Sequence, residues 1–268
     1  MGAAGIDSLV AAASAGRKIL LLFDFDGTLS PIAFRPEEAR LPTSTRQILS
    51  ELAAAGCQLG VISSRSLVDL QGRIDIPGVW LAGSGGLELW IEGGPAGEQR
   101  MVAGARIIAA HARFVAHAID CLPDAWLEEK PLGLTIHHRG ACPSTVTAVR
   151  QLAGMLQARA TDVRVTVCSL GVEISPFPEV HKGTAVAKFI AAVGDAHPGL
   201  LYAGNDLNDA EAMAEVARRG GWVIAVGDDA HLAHHQVSTP SDLGELLVTL
   251  GLALIRNATS RRPPRSLR

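Results

Sequence analysis

Short unbroken apolar runs of strand length alternate with stretches of helical periodicity, and the apolar runs end in polar or glycine residues. Ile19-Leu20-Leu21-Leu22-Phe23 stops abruptly at Asp24-Phe25-Asp26-Gly27-Thr28. A strand with no polar alternation is buried on both faces, as in a parallel sheet. Thr43 to Ala55 places Ile48, Leu49 and Leu52 at helical spacing behind a Thr or Ser cap, and Gly56 ends it. Gln58 to Ile62 is a second apolar strand, ending in Ser63-Ser64-Arg65. Strand, helix, strand is the pattern of a right-handed crossover unit.

The alternation returns late in the chain. Lys182 to Val193 predicts a helix, Leu200 to Ala203 a strand ending in Gly204-Asn205-Asp206, Asp209 to Arg218 a helix, and Trp222 to Val226 a strand ending at Gly227. The expected core is an α/β doubly wound, mostly parallel sheet, with polar residues gathered at the strand ends where such sheets bind ligands. Between these halves the pattern changes. Gly104 to Leu122 and Ser144 to Ala158 read as helices, and Trp126 to Glu129, Gly133 to His138, Arg164 to Cys168 and Val172 to Ser175 as strands. Gly93-Gly94 and Pro176-Phe177-Pro178 read as connectors. The expected organisation is a discontinuous core of residues 1–100 and 178–258, an inserted α+β module over 101–177, and a basic, disordered tail over 259–268.

Composition narrows the partners. The chain has 268 residues, 48% of them hydrophobic, and 24 Lys+Arg against 27 Asp+Glu. This suits a soluble globular protein with a sizeable core and provides no general basic field, so nucleic acid and anionic membranes are not expected partners and small molecules are. No apolar run near the start is long enough to cross a bilayer, and no signal-peptide order precedes it; cytoplasm is the default expectation. Ile6 stands where a myristoylation motif needs Ser or Thr. Cys57, Cys121, Cys142 and Cys168 lack metal-site spacing and read as reduced, mostly buried thiols. The oligomeric state has no signature in the sequence.

Four clusters could carry chemistry. Asp24 and Asp26, two apart at a strand end, can face one crevice, with Gly27 permitting the turn; two close carboxylates call for a divalent cation, and oxygen ligands point to magnesium. A plain turn at Asp26-Gly27 is the alternative. Ser63 offers a hydroxyl to an anion or caps a helix. Lys182 precedes a helix whose amino end favours anions, and is one of four lysines with Lys18, Lys130 and Lys188; it can also be an ordinary surface lysine. Gly204 to Asp209 places two carboxylates and two amides behind a strand, to hold a cation or cap the next helix.

In this order the clusters resemble the haloacid dehalogenase superfamily of phosphatases. Asp24, Asp26, Gly27 and Thr28 match its D-x-D-G-T motif, Ser63 its second motif, Lys182 its third and Gly204–Asp209 its fourth, with the inserted module where the type-two cap sits. Within that group the chain is similar to trehalose-6-phosphate phosphatases: Asp24 to Ile32 resembles their first motif, Glu129-Lys130 and His137-His138-Arg139 their E-x-K and H-Y-R stretches, and Glu173-Ile174-Ser175-Pro176 with Lys182-Gly183 their E-I-R-P and K-G run. Ser64 departs from S-G-R, Gly85 from G-x-H-G, Ser175 from E-I-R-P and Asn205 from G-D-D.

The resemblance implies a set of roles. Asp24 is the nucleophile that forms an aspartyl-phosphate, Asp26 the acid and base, and Lys182 the third catalytic residue. Gly27, Thr28, Ser63, Ser64 and Lys182 bind phosphate. Asp24, the Asp26 carbonyl and Asn205 hold Mg2+, with Asp206 making up the negative charge that Asn205 lacks, Asp209 orients Lys182, and Glu129, Lys130, His137, Arg139 and Glu173 in the cap read the sugar. The implied substrate is a disaccharide phosphate, trehalose 6-phosphate first, with sucrose phosphate, a glycosyl-phosphoglycerate or a pseudo-disaccharide phosphate as alternatives. A phosphomutase or a non-catalytic binding protein on the same scaffold is a further alternative.

Overall fold

The computed structural model describes residues 2–91, 94–96, 98–228 and 233–260. From the amino end, α1 (Gly2–Ser14) precedes β1 (Ile19–Phe23), α2 (Thr43–Ala54), β2 (Gln58–Ile62), α3 (Leu67–Arg73), β3 (Trp80–Gly83), β4 (Glu88–Ile91) and β5 (Gly94–Ala96). The middle of the chain supplies α4 (Glu98–Ile119), β6 (Trp126–Lys130), β7 (Gly133–His137), α5 (Pro143–Arg159), β8 (Val163–Val167) and β9 (Gly171–Pro176). The chain then returns with α6 (Lys182–Ala192), β10 (Gly199–Gly204), α7 (Ala210–Arg218), β11 (Trp222–Val226), β12 (His235–Val237) and α8 (Pro240–Ser260).

The larger sheet has eight strands in the order β12-β11-β10-β1-β2-β3-β4-β5, parallel from β12 to β3 and antiparallel beyond. β1 lies between β10 and β2 and has no solvent face, which is why its sequence shows no alternation. Leu21 and Phe23 pack with α1, α2 and α8 on one face, and Leu20 and Leu22 with α6 and α7 on the other. Continuing that alternation beyond the strand puts Phe25 into the first core and Asp24 on the side of α6. Parallel pairing aligns the carboxyl ends of β1, β2 and β10, so Asp24, Ser63 and Asn205 emerge along one edge.

The second sheet is antiparallel, in the order β6-β7-β9-β8. Its strands alternate. Leu134, Ile136, Val172 and Ile174 face a core with Ile108 and Val115 of α4 and Leu152 and Leu156 of α5. The residues between them, Thr135, His137, Gly171 and Glu173, line a cavity shared with the carboxyl edge of the larger sheet.

Several elements differ from the sequence reading. The long terminal helices α1 and α8 and the strands β3, β4 and β5 at one end of the larger sheet were not anticipated. α8 runs through Gly244 and Gly251, because Leu243, Leu247, Leu250 and Leu254 bury a stripe that outweighs the weak propensity of glycine. Gly94, expected in a connector, pairs with Ile91 in β5, and Pro176 ends β9 opposite Val163 instead of opening a linker. α4 begins at Glu98, several residues before the expected start. Cys57 and Cys168 are buried thiols while Cys121 and Cys142 are exposed. Gly93 and Arg261–Arg268 lie outside the described residues. Among the described residues no helix is long and apolar enough to cross a membrane.

Candidate active site

Asp24 and Lys182 meet in the interior, although 158 positions separate them in the chain. β1 delivers the carboxylate and the first residue of α6 delivers the ammonium. Lys182 Nζ donates to Asp24 Oδ1 at 2.7 Å, to Asp209 Oδ1 at 2.7 Å and to Asn208 Oδ1 at 3.1 Å. Asp209 is fully buried and takes three more donors: Tyr202 Oη at 2.6 Å, the Asn205 N–H at 2.9 Å and the Asp206 N–H at 3.2 Å. It fixes both the lysine and the loop after β10.

Two carboxylates share one ammonium here. Burial works against the charge on Lys182, but Asp209 and Asp24 outweigh it and hold the ammonium protonated well above its usual range. Burial pushes the Asp24 carboxyl up to about 8, against the pull of Lys182, and the nearby Asp209 and Asp26 carboxylates add to the rise. An ionised Asp24 therefore needs more positive charge than the chain supplies.

The residues around Asp24 suit a hard cation. One end of the Asn205 side-chain amide lies 2.8 Å from the Asp26 carbonyl oxygen and 3.1 Å from Asp24 Oδ2. With nitrogen at that end, the amide donates to both oxygens. With oxygen there, three oxygen atoms face one another, which is the donor chemistry magnesium requires. Thr28 Oγ1 stands 3.3 Å from the same end. No group of three or more His, Cys, Asp or Glu side chains able to hold a metal ion occurs among the described residues. The groups that would hold a divalent cation here are a carboxylate, a peptide carbonyl and an amide. Gly27 allows this approach: it has φ +85°, and a Cβ there would stand 2.2 Å from the Asn205 side chain.

Asp26 turns to the other side of the cavity. Arg65 Nε and Nη2 donate to its two carboxylate oxygens at 2.7 and 2.8 Å, and Arg65 also donates to Asp69 at 2.8 Å and to the Pro36 carbonyl at 2.6 Å. The Arg65 side chain is 9% exposed while Asp26 and Asp69 are 34% and 35% exposed, so solvent screens part of these pairs. Arg65→Ala is expected to cost about 2 kcal/mol, less than a fully buried pair, through loss of a four-bond clamp. Urea unfolding measures this, and an unchanged midpoint would mean the clamp contributes nothing.

The expected phosphate ligands divide. Ser63 is buried and lines the cavity. Ser64 also lines it, but its hydroxyl donates to Glu173 Oε2 at 2.7 Å. The N–H groups of Gly27 and Thr28 serve the turn, on the Ser30 carbonyl at 2.7 Å and the Phe25 carbonyl at 3.4 Å. Asp206, expected as support for the cation, instead accepts from Ser169 N at 3.0 Å and Ser169 Oγ at 2.9 Å.

Opposite the edge of the larger sheet stand Lys130, His137, Arg139 and Glu173, bounding about 730 Å³ of space with its mouth included. Glu129 is the exception. Strand alternation puts Glu128 and Lys130 on the cavity face and leaves Glu129 exposed on the reverse, so the carboxylate of the E-x-K stretch is Glu128. His137 Nε2 lies 2.8 Å from Glu128 Oε2, and its ring stacks on Trp126 at 4.7 Å. Burial opposes ionisation of Glu128, but the His137 hydrogen bond and the Lys130 ammonium outweigh it and hold the carboxyl below its usual range. Arg139 donates to the carbonyls of Ala33 and Phe34, tying the smaller sheet to the larger. Arg65, Glu128, Asn208 and Tyr202 were missed as site residues. Period-two reading of β6 could have found Glu128; nothing in the spacing marks Tyr202.

Comparisons with known proteins bear on this constellation. The profile of the trehalose-phosphatase family matches residues 22–243. A trehalose-phosphate phosphatase of Mycobacterium avium is 32% identical over 255 residues, covering 90% of this chain and 64% of that protein. An uncharacterised glycosyl hydrolase of Mycobacterium tuberculosis is 33% identical over 254 residues, 89% of this chain but 19% of that protein. The chain therefore spans less than two thirds of the length of these curated relatives. Among solved structures, the C-terminal domain of a C. albicans trehalose-6-phosphate phosphatase superposes with a TM-score of 0.79 at 21% identity, covering 92% of this chain and 96% of that one. A haloacid dehalogenase-like hydrolase from B. subtilis superposes at 0.58 with 14% identity, covering 85% and 97%. The architecture is the haloacid dehalogenase-like fold with a cap.

Proposed function

We propose a phosphoryl-transfer function for this chain, which belongs to the trehalose-phosphatase family: hydrolysis of a sugar phosphate, trehalose 6-phosphate foremost. The observation that carries this reading is the buried Asp24–Lys182 contact of 2.7 Å at the floor of a cavity whose roof is the polar face of the smaller sheet. Phosphate monoesters resist hydrolysis, so a catalyst needs an aligned nucleophile and positive charge around it. Asp24 supplies the nucleophilic carboxylate oxygen, and an aspartyl-phosphate forms as the ester oxygen leaves. Lys182 holds the transferring group against the repulsion between anions, and Asp209 holds Lys182.

Asp26 protonates the departing oxygen and later takes a proton from the attacking water. Its carboxylate is committed to Arg65, so it must give up that partner to reach the leaving group. Magnesium, held by Asp24, the Asp26 carbonyl and Asn205, would supply the positive charge that lets Asp24 ionise. Ser63 lines the phosphate end of the cavity. We further propose that the unit formed by β6 to β9 with α4 and α5 selects the substrate, with Glu128, Lys130, His137, Arg139 and Glu173 offering polar groups to sugar hydroxyls.

The test is phosphate release across mono- and disaccharide phosphates, with and without magnesium. Release from trehalose 6-phosphate that needs magnesium supports the reading. A preference for hexose monophosphates sinks the choice of sugar, isomerised sugar phosphate in place of free phosphate would indicate a mutase, and no release from any ester sinks the reaction class. Within this reading, Glu128→Gln should raise KM for the disaccharide phosphate about tenfold, the scale of one charge-assisted hydrogen bond, and Glu129→Gln less than twofold. Equal effects would restore Glu129 to the site.

A further inference from the structure

We propose, resting on the phosphatase reading above, that Ser64 and Asn208 are positioning residues that preset Glu173 for sugar recognition and join it to Lys182. Three segments distant in sequence converge: the residues after β2, strand β9 of the smaller sheet, and the turn after β10. Ser64 Oγ donates to Glu173 Oε2 at 2.7 Å, and Asn208 Nδ2 donates to the same oxygen at 3.2 Å and to Ser64 Oγ at 3.3 Å. Asn208 Oδ1 accepts from Lys182 Nζ at 3.1 Å. Donors and acceptors alternate along the whole path, so the ammonium on one side and the carboxylate on the other fix the amide orientation of Asn208.

The consequence lies in the two oxygens of Glu173. Two donors hold Oε2, whereas Glu173 lines the cavity and has no hydrogen bond to Oε1 among the described residues. A carboxylate anchored by one oxygen presents the other as a preorganised acceptor for a ligand hydroxyl. A phosphate ester with no sugar has nothing to offer it. Lys182 also holds Asp24, so the same chain of hydrogen bonds runs from the sugar-facing carboxylate to the nucleophile. Ser64 stands where the family pattern has glycine, which has no hydroxyl to donate; the anchor is a property of this sequence.

Docking of the two sheets does not depend on this contact. Asp206 accepts three hydrogen bonds from Ser169, Arg164 pairs with Glu211, and Arg139 binds the Ala33 and Phe34 carbonyls. A Ser64 variant should therefore fold and close.

The experiment compares wild type, Ser64→Ala, Glu173→Gln and the double variant on trehalose 6-phosphate and on p-nitrophenyl phosphate. Ser64→Ala should lower kcat/KM for the sugar phosphate about tenfold, chiefly through KM, and at least fivefold more than for p-nitrophenyl phosphate. The double variant should be no worse on the sugar phosphate than Glu173→Gln alone. Equal losses on both substrates, a loss confined to kcat, or effects that multiply in the double variant would overturn the anchoring role while leaving an active phosphatase. A wild type that releases phosphate from neither ester overturns the phosphatase reading itself, and the anchor with it.

Discussion

Lys182→Ala is expected to unfold roughly 10 °C below the wild type and to lose phosphate release altogether. The side chains of Lys182, Asp24 and Asp209 are 3%, 6% and 0% exposed, so the ammonium is the positive charge within hydrogen-bond reach of both buried carboxylates. Removing the ammonium strands the buried Asp209 charge and leaves Asp24 to take up a proton, at a cost of about 3 to 5 kcal/mol. For a chain of this size each kcal/mol lowers the melting temperature by about 2 to 4 °C. Asp24→Asn added to Lys182→Ala should recover part of the loss, since the buried carboxyl no longer has to bind a proton on folding at neutral pH. Thermal unfolding of the single and double variants measures both effects. A Lys182→Ala melting temperature equal to wild type would show that the triad is not held as described.

Asp24→Asn should separate activity from stability. Turnover should fall at least about a thousandfold, because an amide oxygen cannot form the aspartyl-phosphate. The fold should persist and gain stability at neutral pH without divalent cations. Asparagine keeps the shape of the side chain and removes a carboxylate that lies close to Asp209 and Asp26, while Lys182 retains Asp209.

The pH dependence gives the same test a sign. Burial raises the Asp24 carboxyl from its ordinary 3.8 to about 8 in the folded chain. Between those values the folded state binds one more proton than the unfolded state, so this group's contribution is complete below about pH 4 and falls as pH rises toward 8. In chelator, urea midpoints of the wild type should therefore drop from pH 5 to pH 8, and those of Asp24→Asn should drop less. Parallel slopes would refute the raised carboxyl, and an active Asp24→Asn would refute the nucleophile.

The contrast between Glu128 and Glu129 shows where sequence reading ran out. Glu129 is adjacent to Lys130 and Glu128 lies two positions before it, so the E-x-K spacing already favours Glu128, but spacing alone does not show which side chain faces the cavity. Facing is set by the register of β6 against β7, where Glu128 pairs with Thr135 and Glu129 with Leu134. Thr135 lines the cavity and Leu134 is buried in the core of the smaller sheet. Gly27 and Thr28 show a different limit of residue type. Their types suit an anion loop, but the turn that aims Asp24 and Asp26 uses their N–H groups for itself. Arg65 was visible as part of a motif, yet its four hydrogen bonds to Asp26, Asp69 and Pro36 depend on how β2, α3 and the loop after β1 pack together.

The one-dimensional pattern by itself determined the alternation of buried strands and amphipathic helices, the change of pattern in the middle of the chain, and the fact that Asp24, Ser63, Lys182 and Asn205 each follow or begin an element. Those features are local, set by burial period and by glycine and polar breaks, so they are written along the chain. Only the tertiary structure decided which groups touch: that Lys182 is shared between Asp24 and Asp209, that Asp26 is held by Arg65, and that Ser64 and Asn208 hold Glu173. Each of these contacts joins residues from different elements at hydrogen-bond range, and such distances arise from the packing of two sheets against each other, which no local period encodes.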